Sequence, residues 1–218
     1  PSVVVVLPSP SAVGVMAVTS MYLPFRPAPT RQVDWTFPLD YKNVHFEDTI
    51  PETKALQDLI DRLNPKFLYS LHNSAFGGVY WYVTHPFEEE FYQGLRDVAA
   101  KNGLPVDLGE PEAPYITRLS PAVYKSISQA DCYEYYASYG EEHPERMIPC
   151  GDCSASYGLA RCDAFTLLTE EPYFYNPAIC DLSESDILRR DASLYALDYK
   201  KELREFAADT MKIVTKSS

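Results

Sequence analysis

Basic residues are scarce in this chain: 19 Lys and Arg stand against 31 Asp and Glu, a formal charge of −12 over 218 residues. Proteins that neutralise phosphates carry a cationic patch, so no nucleic-acid partner is expected. Histidine is scarcer still, and the imidazoles are only His45, His72, His85 and His143. The cysteines are Cys132, Cys150, Cys153, Cys162 and Cys180, an odd count without the dense spacing of a disulfide-stapled scaffold. That usage leans toward a reducing compartment, with the cytoplasm as the expected location. Cys150-Gly-Asp-Cys153 has the spacing of a metal knuckle or redox pair, but no second CxxC or His pair follows where a tetrahedral site needs it. Structural thiols are the expectation. The first 25 residues lack charge, yet Pro8 and Pro10 break the apolar run and no basic region precedes it. Neither a signal peptide nor a membrane helix is expected, and Val3 to Leu7 reads as a buried strand or a fragment end.

What is present is the composition of a folded globule, 46% hydrophobic and 13% aromatic. Residues 1–30 read as a largely uncharged, Pro-rich N-terminal segment, with Pro24 to Pro29 as a linker or extended loop, and 31–218 as the domain. Thr49-Ile-Pro-Glu52 has the form of a capping box, and Leu56, Leu59, Ile60 and Leu63 recur at helical spacing. Asn64-Pro65 ends that helix, and residues 66–72 follow as a short buried strand with His72 at its C-terminal end. In open α/β sheets ligands collect at that edge. Residues 79–83 predict a second strand, and Phe87, Phe91, Leu95 and Val98 another helix, closed by Asn102-Gly103. A helix over 121–139 is expected, capped by Ser120 with Pro121 in its first turn. A strand over 165–169 and a helix over 183–214 complete the chain.

Several of these segments resemble one enzyme family. The helix at 51–63, the strand ending Ser70-Leu-His72-Asn-Ser74 and the strand Ala164 to Glu170 are similar, in order and spacing, to segments of zinc carboxypeptidases of the carboxypeptidase A type. Trp35-Thr-Phe-Pro-Leu-Asp-Tyr-Lys42 and Glu170-Glu-Pro-Tyr-Phe-Tyr175 resemble a bacterial-type branch, and the likeness runs from about Arg26 to Pro177. It implies an α/β fold, a partial mixed sheet flanked by helices and truncated relative to the family. It also implies hydrolysis of a C-terminal peptide or related amide bond, with a peptide-like substrate, zinc as cofactor, His72 as zinc ligand and Glu170 as general base. A catalytic zinc takes three protein ligands and lowers the pKa of its water, whose proton one carboxylate then relays to the leaving amine. Glu171 is the fallback for the base, because adjacent strand residues face opposite sides and only one looks into a site.

The resemblance also implies substrate contacts at Arg26, Ser154 and Tyr157, and a catalytic-type phenol among Tyr133, Tyr135, Tyr136, Tyr139 and Tyr157. The family's upstream H-x-x-E ligand pair is not found in the residues before His72. His85-Pro-Phe-Glu88 spells that motif downstream. With strands 66–72 and 79–83 as antiparallel neighbours, five residues place His85 on the order of 16 Å from the His72 edge, too far to share a metal. The chain by itself is therefore expected to be inactive. The alternative is a metal-free remnant or peptide-binding pseudoenzyme.

Overall fold

The computed structural model describes residues 4–8, 32–74, 77–172, 175–177 and 181–216. The elements in chain order are β1 (Val4–Pro8), β2 (Leu39–Tyr41), β3 (Val44–Phe46), α1 (Pro51–Leu63), β4 (Phe67–Ser74), β5 (Tyr80–Val83), α2 (Glu89–Lys101), β6 (Arg118–Ser120), β7 (Val123–Lys125), α3 (Gln129–Ser138), α4 (Ser154–Cys162), β8 (Phe165–Pro172) and α5 (Arg189–Lys216). The chain divides into two compact units, Pro1–Cys180 and Asp181–Ser218.

The first unit is α/β, built on a mixed sheet of order β1-β4-β8-β5-β7-β6, with β2 and β3 as a separate antiparallel pair. β4 and β8 run parallel, with Phe67 opposite Phe165 and His72 opposite Glu170. β5 runs antiparallel to β8 on its other side. The expected strands 66–72 and 79–83 are thus antiparallel but not neighbours, since β8 lies between them. Its aromatic and β-branched residues let β8 pair on both sides and pack on both faces, as a central strand must.

Strand alternation assigns the two faces. Leu68 lies on one face with Phe37, Ile60, Cys162 and Ala164, under α1 and α4. A Cβ on Gly158 of α4 would sit 2.4 Å from Leu68 Cδ1, so the helix approaches β4 only because that position is glycine. On the opposite face Trp81, Val83 and Val123 pack with Tyr92, Phe91, Leu95 and Ala99 of α2.

The expected start of α1 shifts by one residue: Ile50 is the N-cap without a side-chain cap bond, and Pro51 takes the first position, which needs no N–H donor. Asn102-Gly103 closes α2 as expected, with Gly103 at φ +68°. The helix over 121–139 is a correction. Residues 118–125 form the β6–β7 hairpin, turned at Ala122 with φ +61°, and α3 begins at Gln129. Ser128 is its cap: the Asp131 amide donates to Ser128 Oγ at 3.2 Å, and the Ser128 amide donates to Asp131 Oδ2 at 3.0 Å. Val123 and Tyr124 extend the sheet opposite Trp81 and Tyr82, and that pairing overrides the Ser-Pro start signal.

The second unit consists mainly of α5, which starts at Arg189 rather than near Ser183. Leu194, Leu203 and Phe206 are exposed along it. No helix among the described residues is long and apolar enough to cross a membrane.

Candidate active site

β4 and β8 end, and β5 begins, at one edge of the sheet. Parallel register brings the Cα atoms of His72 and Glu170 opposite each other, and both side chains project from the face that carries Leu68. Tyr80 lies opposite Glu170 on its other side. Three adjacent strands therefore deliver an imidazole, a carboxylate and a phenol to one place. The two residues taken from the resemblance as ligand and base do meet.

His72 Nδ1 lies 2.9 Å from Glu170 Oε2 and 2.9 Å from the Asn73 carbonyl oxygen. A carbonyl oxygen only accepts, so Nδ1 carries a proton and shares it between the two. Glu170 is 5% exposed, and burial pushes its pKa above the ordinary carboxylate value against the pull of His72; Glu112 and Asp34 add to the rise. Burial pulls the His72 pKa down, but the Glu170 hydrogen bond and charge, the Asn73 carbonyl and Asp34 outweigh it and leave it raised. Both members of the pair are thus shifted upward, by burial for Glu170 and by the surrounding acceptors and charges for His72. Below the pair on the same face, Ser70 Oγ is buried and has no hydrogen-bond partner among the described residues.

Asp34, in the 3-10 turn Val33–Trp35, is the second carboxylate that His72 feels. Burial raises its pKa, opposed by its Ser154 bond, in which the hydroxyl donates to Asp34 Oδ1 at 3.0 Å, and by the His72 charge. Ser154 thus stands at the N-terminus of α4 as the partner of a site carboxylate. Tyr157, one turn later, donates to Asp61 at 3.0 Å, and Arg161 donates to the same carboxylate at 2.9 Å. Tyr157 is therefore tied to α1. Tyr133 donates to Asn43 at 2.9 Å, while Tyr135 and Tyr139 stack on each other at 4.7 Å. The phenol beside Glu170 is instead Tyr80, whose hydroxyl donates to Glu112, as does that of Tyr82 at 3.2 Å. Arg26 lies outside the described residues.

Glu171 pairs with Asn73 and faces the other side of the sheet, so of the two glutamates only Glu170 shares a face with His72. His85 sits beside Phe165 at the opposite end of β8, with its Nε2 3.3 Å from Asp163 Oδ1, five residues from Glu170. The downstream H-x-x-E has no part in this site. Cys150 and Cys153 are free thiols, pushed up by burial to about 11 and about 12, with the Asp152 charge adding to both. Asp34, Tyr80 and Glu112 escaped the sequence reading. The alternation of Tyr80 and Tyr82 in the strand at 79–83, which puts both on one face, is the signal that could have found the phenol.

A catalytic zinc takes three protein ligands and an open position. Among the described residues no three His, Cys, Asp or Glu side chains are placed to hold one metal ion. His72 Nδ1 is moreover engaged as a donor, so ligation through it requires losing that proton and both contacts. The described residues do not make the zinc centre of the resembled family on their own. Comparison with protein-family models, curated proteins and solved structures returned no match to this chain.

Proposed function

We propose that this chain carries the base and imidazole positions of a carboxypeptidase-like hydrolase of C-terminal peptide or related amide bonds. The supporting observation is the His72–Glu170 pair at 2.9 Å, on adjacent parallel strands, at the edge where ligands collect in open sheets. Glu170, its pKa raised by burial, accepts a proton from an attacking water and returns it to the leaving amine. His72 holds the anionic form of Glu170 by its Nδ1–H and orients the accepting oxygen. Tyr80 and Glu112 bound the cleft on the β5 side. Zinc belongs to this proposal as the family's cofactor, with His72 as the one ligand position present; further donors are required before hydrolysis proceeds.

Zinc titration followed by the imidazole NMR signals, together with cleavage of a blocked dipeptide bearing a free C-terminus, tests both parts. The His72 signals are expected to move with weak, saturable zinc binding that H72A removes, and no cleavage follows. Zinc that leaves the His72 signals in place overturns the metal position. One zinc retained through dialysis, with cleavage, overturns the claim that donors are lacking. The sharing of Nδ1–H by two acceptors favours a second reading, a metal-free peptide binder. Under it the dipeptide shifts the His72 signals and zinc does not.

A further inference from the structure

The last helix carries an 11-residue repeat. Leu188-Arg-Arg-Asp-Ala-Ser-Leu-Tyr-Ala-Leu-Asp198 is followed directly by Tyr199-Lys-Lys-Glu-Leu-Arg-Glu-Phe-Ala-Ala-Asp209. Each copy opens on a large apolar residue, continues with two bases and an acid, places an aromatic ring eighth and ends on aspartate. Eleven residues make three helical turns with a drift of only about 20°, so equivalent positions stay on one face along the helix. The helix opens at Leu188, whose carbonyl accepts from the Asp191 and Ala192 amides, and the 28 residues of α5 run for about 42 Å.

That spacing sorts the helix surface into strips. Leu188, Ala192, Tyr195, Tyr199, Leu203 and Phe206 form one apolar stripe, and its five large residues are 48% to 77% exposed. They offer about 500 Å² of apolar surface on one side of the helix, a patch of the size that marks an interaction surface. One edge of the stripe is acidic, with Asp191, Asp198, Glu202 and Asp209. The other carries Lys200 and Arg204 beside the small Ala196 and Ala207. Asp198 and Asp209 are held by Lys201 and Lys212 of their own helix, at 3.0 and 2.9 Å. Lys200 and Glu202 stand on opposite edges at nearly one height and make no ion pair among the described residues.

We propose that α5 pairs in parallel with α5 of a second copy of this chain. Two stripes face to face remove about 1,000 Å² from water, the least a specific interface needs. The direction follows from the charges. In a parallel pair the two-fold axis runs along the helices, so the acidic edge of each meets the basic edge of the other, and Glu202 faces Lys200 of the second copy twice over. An antiparallel pair would set acid against acid and base against base. The tyrosine hydroxyls reach water at the rim of so narrow a stripe. A lipid surface fits less well, because an interfacial helix flanks its apolar face with Lys and Arg, whereas here acids would lie at headgroup depth.

Sedimentation velocity of the full chain over a concentration series tests this. A monomer–dimer equilibrium with a midpoint on the order of micromolar is expected for an interface of that size. F206E should leave monomer at every concentration and should not change the thermal unfolding of the first unit. K200E and E202K each turn two attractions into repulsions and should weaken the dimer about tenfold. K200E/E202K exchanges the charges and should recover the wild-type affinity to within about threefold. Monomer throughout, a dimer that F206E leaves intact, or no recovery in the double variant overturns the proposal. A monomer whose F206E variant unfolds at a lower temperature gives the stripe to the first unit of the same chain. A monomer that floats with vesicles of phosphatidylglycerol and phosphatidylcholine gives it to a lipid surface, and either result overturns the pairing.

Discussion

Removing either member of the His72–Glu170 pair should destabilise the fold, and by unequal amounts. In H72A, Glu170 keeps a carboxylate that is 5% exposed, with Asp34 and Glu112 still within electrostatic reach. Breaking a fully buried pair from one side costs about 3–5 kcal/mol. The His72 side chain is 31% exposed, so water relieves part of that, and about 2–3 kcal/mol is expected near neutral pH. E170A leaves an imidazole that sheds its proton, and the loss is about 1 kcal/mol, one hydrogen bond. H72A/E170A should cost less than the two singles together, by about 1–2 kcal/mol.

The pH dependence has a definite sign. The folded-state pKa of Glu170 lies above its ordinary 4.5, and without His72 it rises further. Folding then prefers the protonated acid, so the H72A penalty is small below pH 4.5 and grows as pH rises through the raised value. In the intact chain His72 also has a raised pKa, so its own stabilisation is complete below its unfolded value and fades as pH rises through the folded one, which lowers the H72A penalty again on the alkaline side of the Glu170 rise. Urea unfolding of the four proteins at pH 4 and pH 7 measures every quantity. Additivity within about 0.3 kcal/mol, or an H72A penalty indifferent to pH, refutes the coupling.

G158A should destabilise the first unit by about 1–2 kcal/mol, because its Cβ meets Leu68 Cδ1 at 2.4 Å and overpacking outweighs the helix propensity gained. Thermal unfolding checks this, and G158A/L68A should cost less than the two single substitutions together, because the shortened side chain makes room for the added Cβ; a stabilised G158A variant contradicts the close approach. With thiol pKa values of about 11 and about 12, Cys150 and Cys153 should react with Ellman's reagent at pH 8 far more slowly than a free thiol. Chelator should not change the rate, and prompt or chelator-dependent labelling counts against purely structural thiols.

Local patterns exposed a good part of this fold. Helical spacing of Leu56, Ile60 and Leu63, and the apolar runs at 66–72, 79–83 and 165–169, each became the expected kind of element. The failure at 121–139 has a definite cause. Ser120-Pro121 carries a local start signal, but Val123 and Tyr124 gain more by pairing beside β5. The partners of the site were harder to read, because they are set by long-range register. Glu170 meets His72 across 98 positions and Tyr80 across 90, and no local pattern reports which strand lies between which. Asp34 reaches the site by way of Ser154, 120 positions away. The acids around His72 are therefore a product of topology.

Two neighbouring glutamates invite the idea that one stands in reserve for the other, and the alignment of β8 argues against it. Thr84 anchors the start of this strand, its hydroxyl accepting from the Thr166 amide at 2.8 Å and its own amide donating to the Thr166 carbonyl at 3.2 Å. Sliding β8 by one position to offer Glu171 in place of Glu170 would break that anchor and turn Phe165 and Leu167 out of their packing. A single-residue insertion or deletion between α4 and β8 should therefore abolish the acid's meeting with the imidazole, despite leaving a glutamate at the nominal height.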